Sequence, residues 1–85
     1  MTVTGKIFKV GTIEIGEGKN GEWQKQQVVL ECENGKYTKK VALSFWNDLT
    51  KYDFKEDKEI SVEVDIESRE YNGKWYTDAK AWKIN

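Results

Sequence analysis

Residues 47–54 read NDLTKYDF, and this stretch decides how the strands of a β-rich chain are connected. It is the one connection between predicted strands that carries no hairpin signal. Asn47 or Asp48 can cap the start of a short helix here. The side chains that can pack such a helix onto a core are Leu49, Tyr52 and Phe54.

Elsewhere the chain is punctuated by three Asn-Gly pairs. Asn-Gly between alternating apolar runs is the strongest short-range signal for a β-hairpin, because both residues tolerate positive φ. The pairs are Asn20-Gly21, within a longer loop that begins at Gly16, then Asn34-Gly35 and Asn72-Gly73. The runs between them predict five strands, at approximately Val3–Ile15, Glu22–Glu33, Lys36–Trp46, Lys58–Glu70 and Lys74–Ile84.

The order of these elements predicts the fold. Five strands with a short helix between the third and the fourth are the order of the OB-fold, a small β-barrel. Gly11 is a candidate bulge in the first strand. We therefore predict one all-β domain over residues 1–85, a five-stranded OB-fold barrel with a short helix between strands 3 and 4.

Hairpin register assigns the side chains of strands 2 and 3 to two faces. With Asn34-Gly35 as a two-residue turn, one phase forms the barrel interior. The opposite phase pairs Trp23 with Trp46, Lys25 with Ser44, Gln27 with Ala42, and Val29 with Lys40. Oligonucleotides bind to this outer face in OB-folds, where aromatic rings stack on bases and lysines meet phosphates. We predict that Trp23, Lys25, Gln27, Lys40 and Trp46 bind nucleic acid.

The last hairpin adds a second candidate surface. About Asn72-Gly73, Arg69 pairs with Tyr76 and Tyr71 with Lys74, which gives a cationic and aromatic cluster at the tip. These four residues, together with Lys19 of the first loop, complete the predicted nucleic-acid site. The same register places Ile66 and Ala79 in the interior, Glu63 opposite Trp82, and Glu67 opposite Asp78, a like-charge pair that a bulge could relieve.

Composition excludes several function classes. The chain has no histidine and one cysteine, so it lacks the commonest general base and the ligands of a structural zinc site. Cys32 lies between Glu31 and Glu33, which should raise the thiol pKa. We expect no enzyme activity, no cofactor, no metal and no small-molecule substrate. The net charge of −1 implies that nucleic acid would be bound through a local basic strip.

Targeting signals are also lacking. The residues after Met1 contain no apolar signal-peptide segment, and no apolar run approaches the ~20 residues of a membrane span. A lone cysteine gives no intramolecular disulfide. We expect a cytoplasmic protein without membrane contact.

Several stretches resemble one known family. They are Thr4–Ile7, Trp23–Gln26, Ser44–Asp48, Lys58–Val62, Ser68–Thr77 and Ala79–Ile84. The chain is similar in them to a family of small, mostly uncharacterised bacterial and phage proteins related to single-stranded-DNA-binding proteins. The resemblance implies an OB-fold, single-strand binding and a homo-oligomer. The chain stops at Asn85 without the acidic tail of larger relatives, so we do not expect partner recruitment through such a tail.

Two functions remain open at this stage. The first is sequence-tolerant binding of single-stranded nucleic acid, for which the resemblance implies DNA while the residues leave RNA equally open. The alternative is a protein-interaction or self-assembling OB module, in which Trp23 and Trp46 fill a gap in the barrel or form a subunit interface. A thin core and a high aromatic content predict a dimer or tetramer in either case.

Overall fold

Alternating apolar residues close the chain into a barrel in the computed structural model, which describes residues 1–85. The elements are β1 (Thr2–Gly18), β2 (Gly21–Asn34), β3 (Tyr37–Trp46), a 3₁₀ helix (Asn47–Lys51), β4 (Glu59–Tyr71) and β5 (Lys74–Ile84). The barrel order is β1-β2-β3-β5-β4, and β4 pairs with β1 to close it. The predicted five-stranded OB-fold is therefore confirmed.

The barrel interior is filled by one phase of each strand. The fully or almost fully buried apolar side chains are Ile7, Val28, Leu30, Leu43, Phe45, Ile60, Val62, Val64 and Ala81. Successive strand side chains point to opposite faces, so these positions fix which residues face outward. The interior phase predicted for β2 and β3 is confirmed.

A five-residue 3₁₀ helix connects β3 to β4, as predicted. Phe54 follows it and packs on Phe45, with ring centroids 4.8 Å apart. The predicted cap is wrong, because Trp46 occupies the N-cap position and makes no side-chain cap hydrogen bond. Asn47 instead adopts a φ of 53°, and its Oδ1 accepts a hydrogen bond from the backbone N–H of Gln24. No helix here has the length and apolar character needed to cross a membrane.

The turn between β2 and β3 lies one residue later than predicted. Asn34 pairs with Tyr37, so the turn residues are Gly35 and Lys36. Only Gly35 has positive φ, at 66°, which fits a turn with glycine at its first central position. Every cross-strand partner therefore changes by two residues. The corrected outer pairs are Lys25 with Trp46, Gln27 with Ser44, Val29 with Ala42, and Glu31 with Lys40.

β1 is longer than predicted and contains two bulges. It pairs with β2 as far as Gly18 opposite Gly21, so the predicted loop from Gly16 is reduced to a two-residue turn. Gly11 lies in a register shift between Val10 and Ile13, and the predicted bulge is confirmed. A second shift, between Ile7 and Lys9, leaves Phe8 without a cross-strand partner. Because of this extra residue, the side chains before Phe8 point to the face opposite to the one that strict alternation along β1 would give them.

The β4–β5 hairpin has the predicted register at its tip, with Asn72 and Gly73 both at positive φ. Nearer the barrel, a bulge places Glu63 opposite Lys83, so its predicted pairing with Trp82 is wrong. Glu67 remains opposite Asp78, whose Oδ1 accepts a hydrogen bond from Ser44. Ile66 is exposed, contrary to prediction, because the hairpin projects beyond the barrel.

The Glu63 carboxylate joins the two ends of the chain on β4. Its pKa is held below the ordinary glutamate value by hydrogen bonds from the Asn85 side chain and from the Thr2 hydroxyl. A carboxyl group with a lowered folded-state pKa stabilises the fold above the ordinary pKa of about 4.3, and that contribution is lost as the pH falls through the folded value.

We predict that the stability difference between Glu63→Gln and the parent protein becomes smaller as the pH falls. The substitution should lower the urea midpoint at pH 7, where the native carboxylate is ionised and accepts both hydrogen bonds. Below about pH 4 the difference should shrink, since the parent carboxyl group also becomes neutral. Urea unfolding at pH 7 and pH 3 measures this, and a difference of equal size at both pH values would contradict it.

Candidate nucleic-acid interface

Two tryptophans meet on the outer face of β2 and β3. Trp23 and Trp46 have ring centroids 5.5 Å apart and are tilted by 56°. Trp46 lies opposite Lys25 rather than Trp23, so the two rings meet diagonally across the strands. Both side chains are half-buried. The sequence therefore predicted the contact correctly but not the register that produces it.

Two lysines flank the Trp46 ring. The Nζ atom of Lys25 is 5.4 Å from its centroid and that of Lys80, on β5, is 5.7 Å away. Such cation–π contacts contribute about 0.5–1 kcal/mol each where the groups are exposed. We call Trp23, Lys25, Trp46 and Lys80 the indole cluster. It combines aromatic surface with two cations that form no ion pair with an acid.

Gly16 gives Trp23 its position. It lies directly opposite Trp23 in the β1–β2 ladder. A Cβ atom at Gly16 would collide with the Cζ2, Cε2 and Cη2 atoms of the indole. The indole therefore covers backbone that has no side chain, an arrangement known to compensate for glycine in strands.

A small hydrogen-bond network fixes the chain on either side of the indole cluster. The Thr50 hydroxyl shares its one proton between two acceptors, the backbone carbonyl of Asn47 at 2.7 Å and the Gln24 Oε1 at 3.0 Å. The Asn47 Oδ1 accepts the Gln24 N–H at 3.1 Å. Gln24 and Asn47 are the chain neighbours of Trp23 and Trp46, so this network ties the two tryptophan backbones together.

The indole Nε1–H of Trp46 is buried and makes no hydrogen bond to another group of the protein. The polar edge of the ring therefore points into the molecule, and its contacts with Lys25 and Lys80 involve the π-system.

Gln27 lies next to the indole cluster in a shallow polar groove. The groove is lined by Gly11, Thr12, Glu14, Lys25 and Gln27. Glu14 pairs with Lys25 across β1 and β2, although their charged groups form no salt bridge. This carboxylate places a negative charge beside the predicted phosphate contact.

Lys40 lies farther along the outer face and contacts a different ring. Its Nζ atom is 4.6 Å from the centroid of Phe8, the unpaired bulge residue of β1. Phe8 is 48% exposed. Lys40 and Phe8 come from strands on opposite sides of β2, so their side chains meet above it.

The remaining predicted residues lie apart from the indole cluster. Arg69 pairs with Tyr76 and Tyr71 with Lys74, and all four are exposed on the projecting hairpin. None forms an aromatic or cation–π contact with the tryptophans. Lys19 is exposed in the turn between β1 and β2.

Cys32 is half-buried at the far end of β2, and burial raises the pKa of its thiol. The predicted direction is correct, but its main cause is burial rather than the neighbouring glutamates. A raised pKa keeps the thiol protonated and weakly nucleophilic at neutral pH.

Sequence reasoning missed three residues of this face. Phe8 was missed because its bulge reverses the strand phase, and Lys80 because β5 reaches β3 through a parallel pairing that no hairpin signal encodes. The role of Gly16 was hidden because the loop was predicted to begin there. The one available signal for the bulge at Phe8 was the spacing of the interior residues Ile7 and Val10, which is three residues where strict alternation requires an even number.

Residues 2–85 match the family model described as Domain of unknown function (DUF3127), and the chain belongs to that family. The fold is also found in the solution NMR structure of the second OB-fold domain of replication protein A from Methanococcus maripaludis. That structure has a TM-score of 0.74 and 16% sequence identity, over 99% of this chain and 79% of the other. No curated protein matches the chain. The predicted membership of a small OB-fold family is confirmed.

We predict that Gly16→Ala displaces Trp23, because the new methyl group would occupy the space of the indole. The indole N–H signals of Trp23 and Trp46 should both shift in a two-dimensional NMR spectrum, since the rings touch. Gly18→Ala is the matched control. Its added Cβ would approach the same indole, but only to an ordinary van der Waals distance of 3.5 Å from the Trp23 Cδ1 atom. Equal shifts in the two variants would show that the missing side chain at Gly16 does not determine the position of Trp23.

Proposed function

We propose that the protein binds single-stranded nucleic acid, with single-stranded DNA as the preferred ligand, and does no chemistry on it. Bases stack on Trp23 and Trp46, while Lys25 and Lys80 contact the flanking phosphates. The observation that carries this proposal is the Trp46 ring on the outer face of β2 and β3, whose centroid lies 5.4 Å and 5.7 Å from the Nζ atoms of two lysines without ion-pair partners. This face is the one on which OB-folds bind oligonucleotides.

The chemistry of the indole cluster suits a single strand better than a duplex. Every base has a π-face, so stacking on indole is tolerant of sequence, and it needs bases that are free of a duplex. The two rings are tilted by 56° and cannot both lie parallel to the same base. Successive bases would therefore turn as they pass from Trp23 to Trp46.

The charges on this face predict that electrostatic attraction makes only a modest contribution to the affinity for nucleic acid. Lysines at Trp46 and at Phe8 supply local cations, while Glu14 and the net charge of −1 limit long-range attraction. Arg69, Lys74 and Lys19 extend the surface at the two hairpins. Affinity would then depend on stacking as much as on counterion release.

The fold comparison supports a nucleic-acid ligand in kind. A domain of a protein named for replication has the same fold over nearly the whole chain. At 16% identity this likeness concerns the fold alone, so the proposal rests on the contacts of the indole cluster.

Binding without catalysis agrees with the available groups. A general base of the usual kind is missing because the chain has no histidine, and the Cys32 thiol is held protonated by burial. We propose that the function needs no cofactor or metal.

One observation favours the alternative of self-association. The two long hairpins expose the apolar residues Ile13, Ile15, Ile66 and Trp75. In the barrel part of the same strands, side chains of this phase face the core. Exposed apolar surface of this kind is typical of contacts between proteins. A dimer or tetramer built through these hairpins is compatible with binding on the opposite face of β2 and β3.

We predict that Trp23→Ala weakens binding to a labelled thymidine oligomer about fivefold or more, measured by fluorescence anisotropy at low salt. A stacked base contributes roughly 1–3 kcal/mol, which sets this scale. Tyr37→Ala is the control, because Tyr37 is an exposed aromatic residue at the start of β3 that lies outside both the indole cluster and the exposed apolar residues of the hairpins.

Light scattering on the same samples separates the two functions. Unchanged affinity of folded Trp23→Ala protein would remove the stacking role of Trp23. A change in molecular mass without a change in affinity would place Trp23 in a subunit interface instead. No binding by the parent protein to any single-stranded DNA or RNA at low salt would reject the proposed function.

We also predict a shallow dependence of affinity on salt. Each phosphate neutralised on a single strand adds about −0.7 to the slope of log affinity against log salt, so four or five contacts give roughly −3. Lys80→Gln should flatten the slope by somewhat less than one unit and leave base preference unchanged. Lys55→Gln is the control, because Lys55 is ion-paired with Asp53 and lies outside the cluster. Equal slopes for parent and Lys80→Gln would exclude a phosphate contact there.

A further inference from the structure

Phe8 occupies a position where a strand has no structural need for an aromatic ring. The register shift between Ile7 and Lys9 leaves it without a cross-strand partner, and its side chain is 48% exposed. Bulges re-aim side chains and are common beside functional sites. The core does not use this ring, because Ile7 and Val10 fill the interior on either side of it.

The ring has the same kind of neighbour as Trp46. Lys40 places its Nζ atom 4.6 Å from the Phe8 centroid, closer than either lysine lies to Trp46. Lys40 pairs with Glu31 across the strands but forms no ion pair with it. An aromatic face and an available cation therefore recur together at a second place on the outer face.

The two places are well separated along β2. Trp23 marks the indole cluster, whereas Phe8 lies beside the paired residues Val29 and Leu30. The six residue steps from Trp23 to Val29 span roughly 20 Å of strand. At about 3.4 Å per phosphate in a stacked strand, that distance corresponds to roughly six nucleotides.

The surface between the two places carries no further aromatic ring. The outward phase between them holds Gln27, Val29 and Ala42, together with Ser44, which is almost fully buried and donates its hydroxyl to Asp78. A strand that crosses this surface would meet small and polar groups and would find stacking partners at its two ends.

From this arrangement we infer that Phe8 and Lys40 form a second stacking platform, which binds a base and phosphate about six nucleotides along the same strand from the indole cluster. The ligand class is a single-stranded oligonucleotide long enough to reach both places. This inference rests on the proposed function and adds to it a minimum ligand length and an assigned residue on β1.

The test measures binding of thymidine oligomers of three, six, nine and twelve nucleotides to the parent protein and to Phe8→Leu, by anisotropy at low salt. A trimer spans about 10 Å in stacked form and reaches one platform only. Parent affinity should rise steeply between the trimer and the nonamer. Phe8→Leu should lose about fivefold or more for the longer oligomers and nothing for the shortest.

Two further variants make the result specific to the ring. Phe8→Tyr keeps the aromatic face and should restore long-oligomer affinity to within about twofold of the parent. Tyr37→Leu removes an exposed aromatic ring from β3 in the opposite strand phase and should change nothing. Trp23→Ala combined with Phe8→Leu should show additive losses, as expected for sites this far apart.

The failures of the two proposals are distinct. If the parent protein binds long oligomers and Phe8→Leu binds them equally well at every length, the second platform is wrong and the proposed function stands. If Phe8→Tyr binds as weakly as Phe8→Leu, the ring is not a stacking partner. If the parent binds no oligomer of any length, the proposed function fails and this inference fails with it.

Discussion

The short parallel contact between β3 and β5 is the constraint on which the rest of the molecule depends. Only two residue pairs form it, Ser44 with Lys80 and Phe45 with Ala81. Phe45 and Ala81 belong to the buried core, so this contact seals the barrel. The pairing of Lys80 with Ser44 brings the Lys80 Nζ atom to 5.7 Å from the centroid of the Trp46 ring. The same strand pairing thus closes the core and brings Lys80 into the candidate site. The hydrogen bond from Ser44 to Asp78 stabilises this pairing.

Local sequence signals predicted the fold well because each hairpin carries its own turn chemistry. Asn72-Gly73 has both residues at positive φ and forms the turn at the predicted place. At Asn34-Gly35 only the glycine adopts positive φ, so the turn moves one residue along the chain. That movement changes every partner by two residues and therefore preserves the faces, because side chains alternate with a period of two. Face assignment is for this reason more robust than pair assignment.

The candidate site was only partly predictable, and the limit has a physical origin. Trp23, Lys25 and Trp46 share one hairpin, and alternation within it was enough to bring them together. Lys80 reaches the same cluster through a parallel pairing between elements distant in sequence, for which there is no turn signal. Phe8 depends on a bulge, a single unpaired residue that alternation cannot locate. Non-local pairing and irregular register thus hide the residues that single hairpins do not determine.

The projecting β4–β5 hairpin gives the molecule an uneven local stability. From Asp65 to Asp78 every residue is exposed, and the strands are held mainly by their ladder and by cross-strand contacts such as that between Ser68 and Thr77. Segments with few buried apolar contacts open with a smaller free energy than the global unfolding of the domain. We therefore expect the hairpin to open as a unit of its own, with its amides exchanging with solvent faster than those of the buried Val62 and Val64. An arm of this kind can bend or fray beside the outer face while the barrel remains folded.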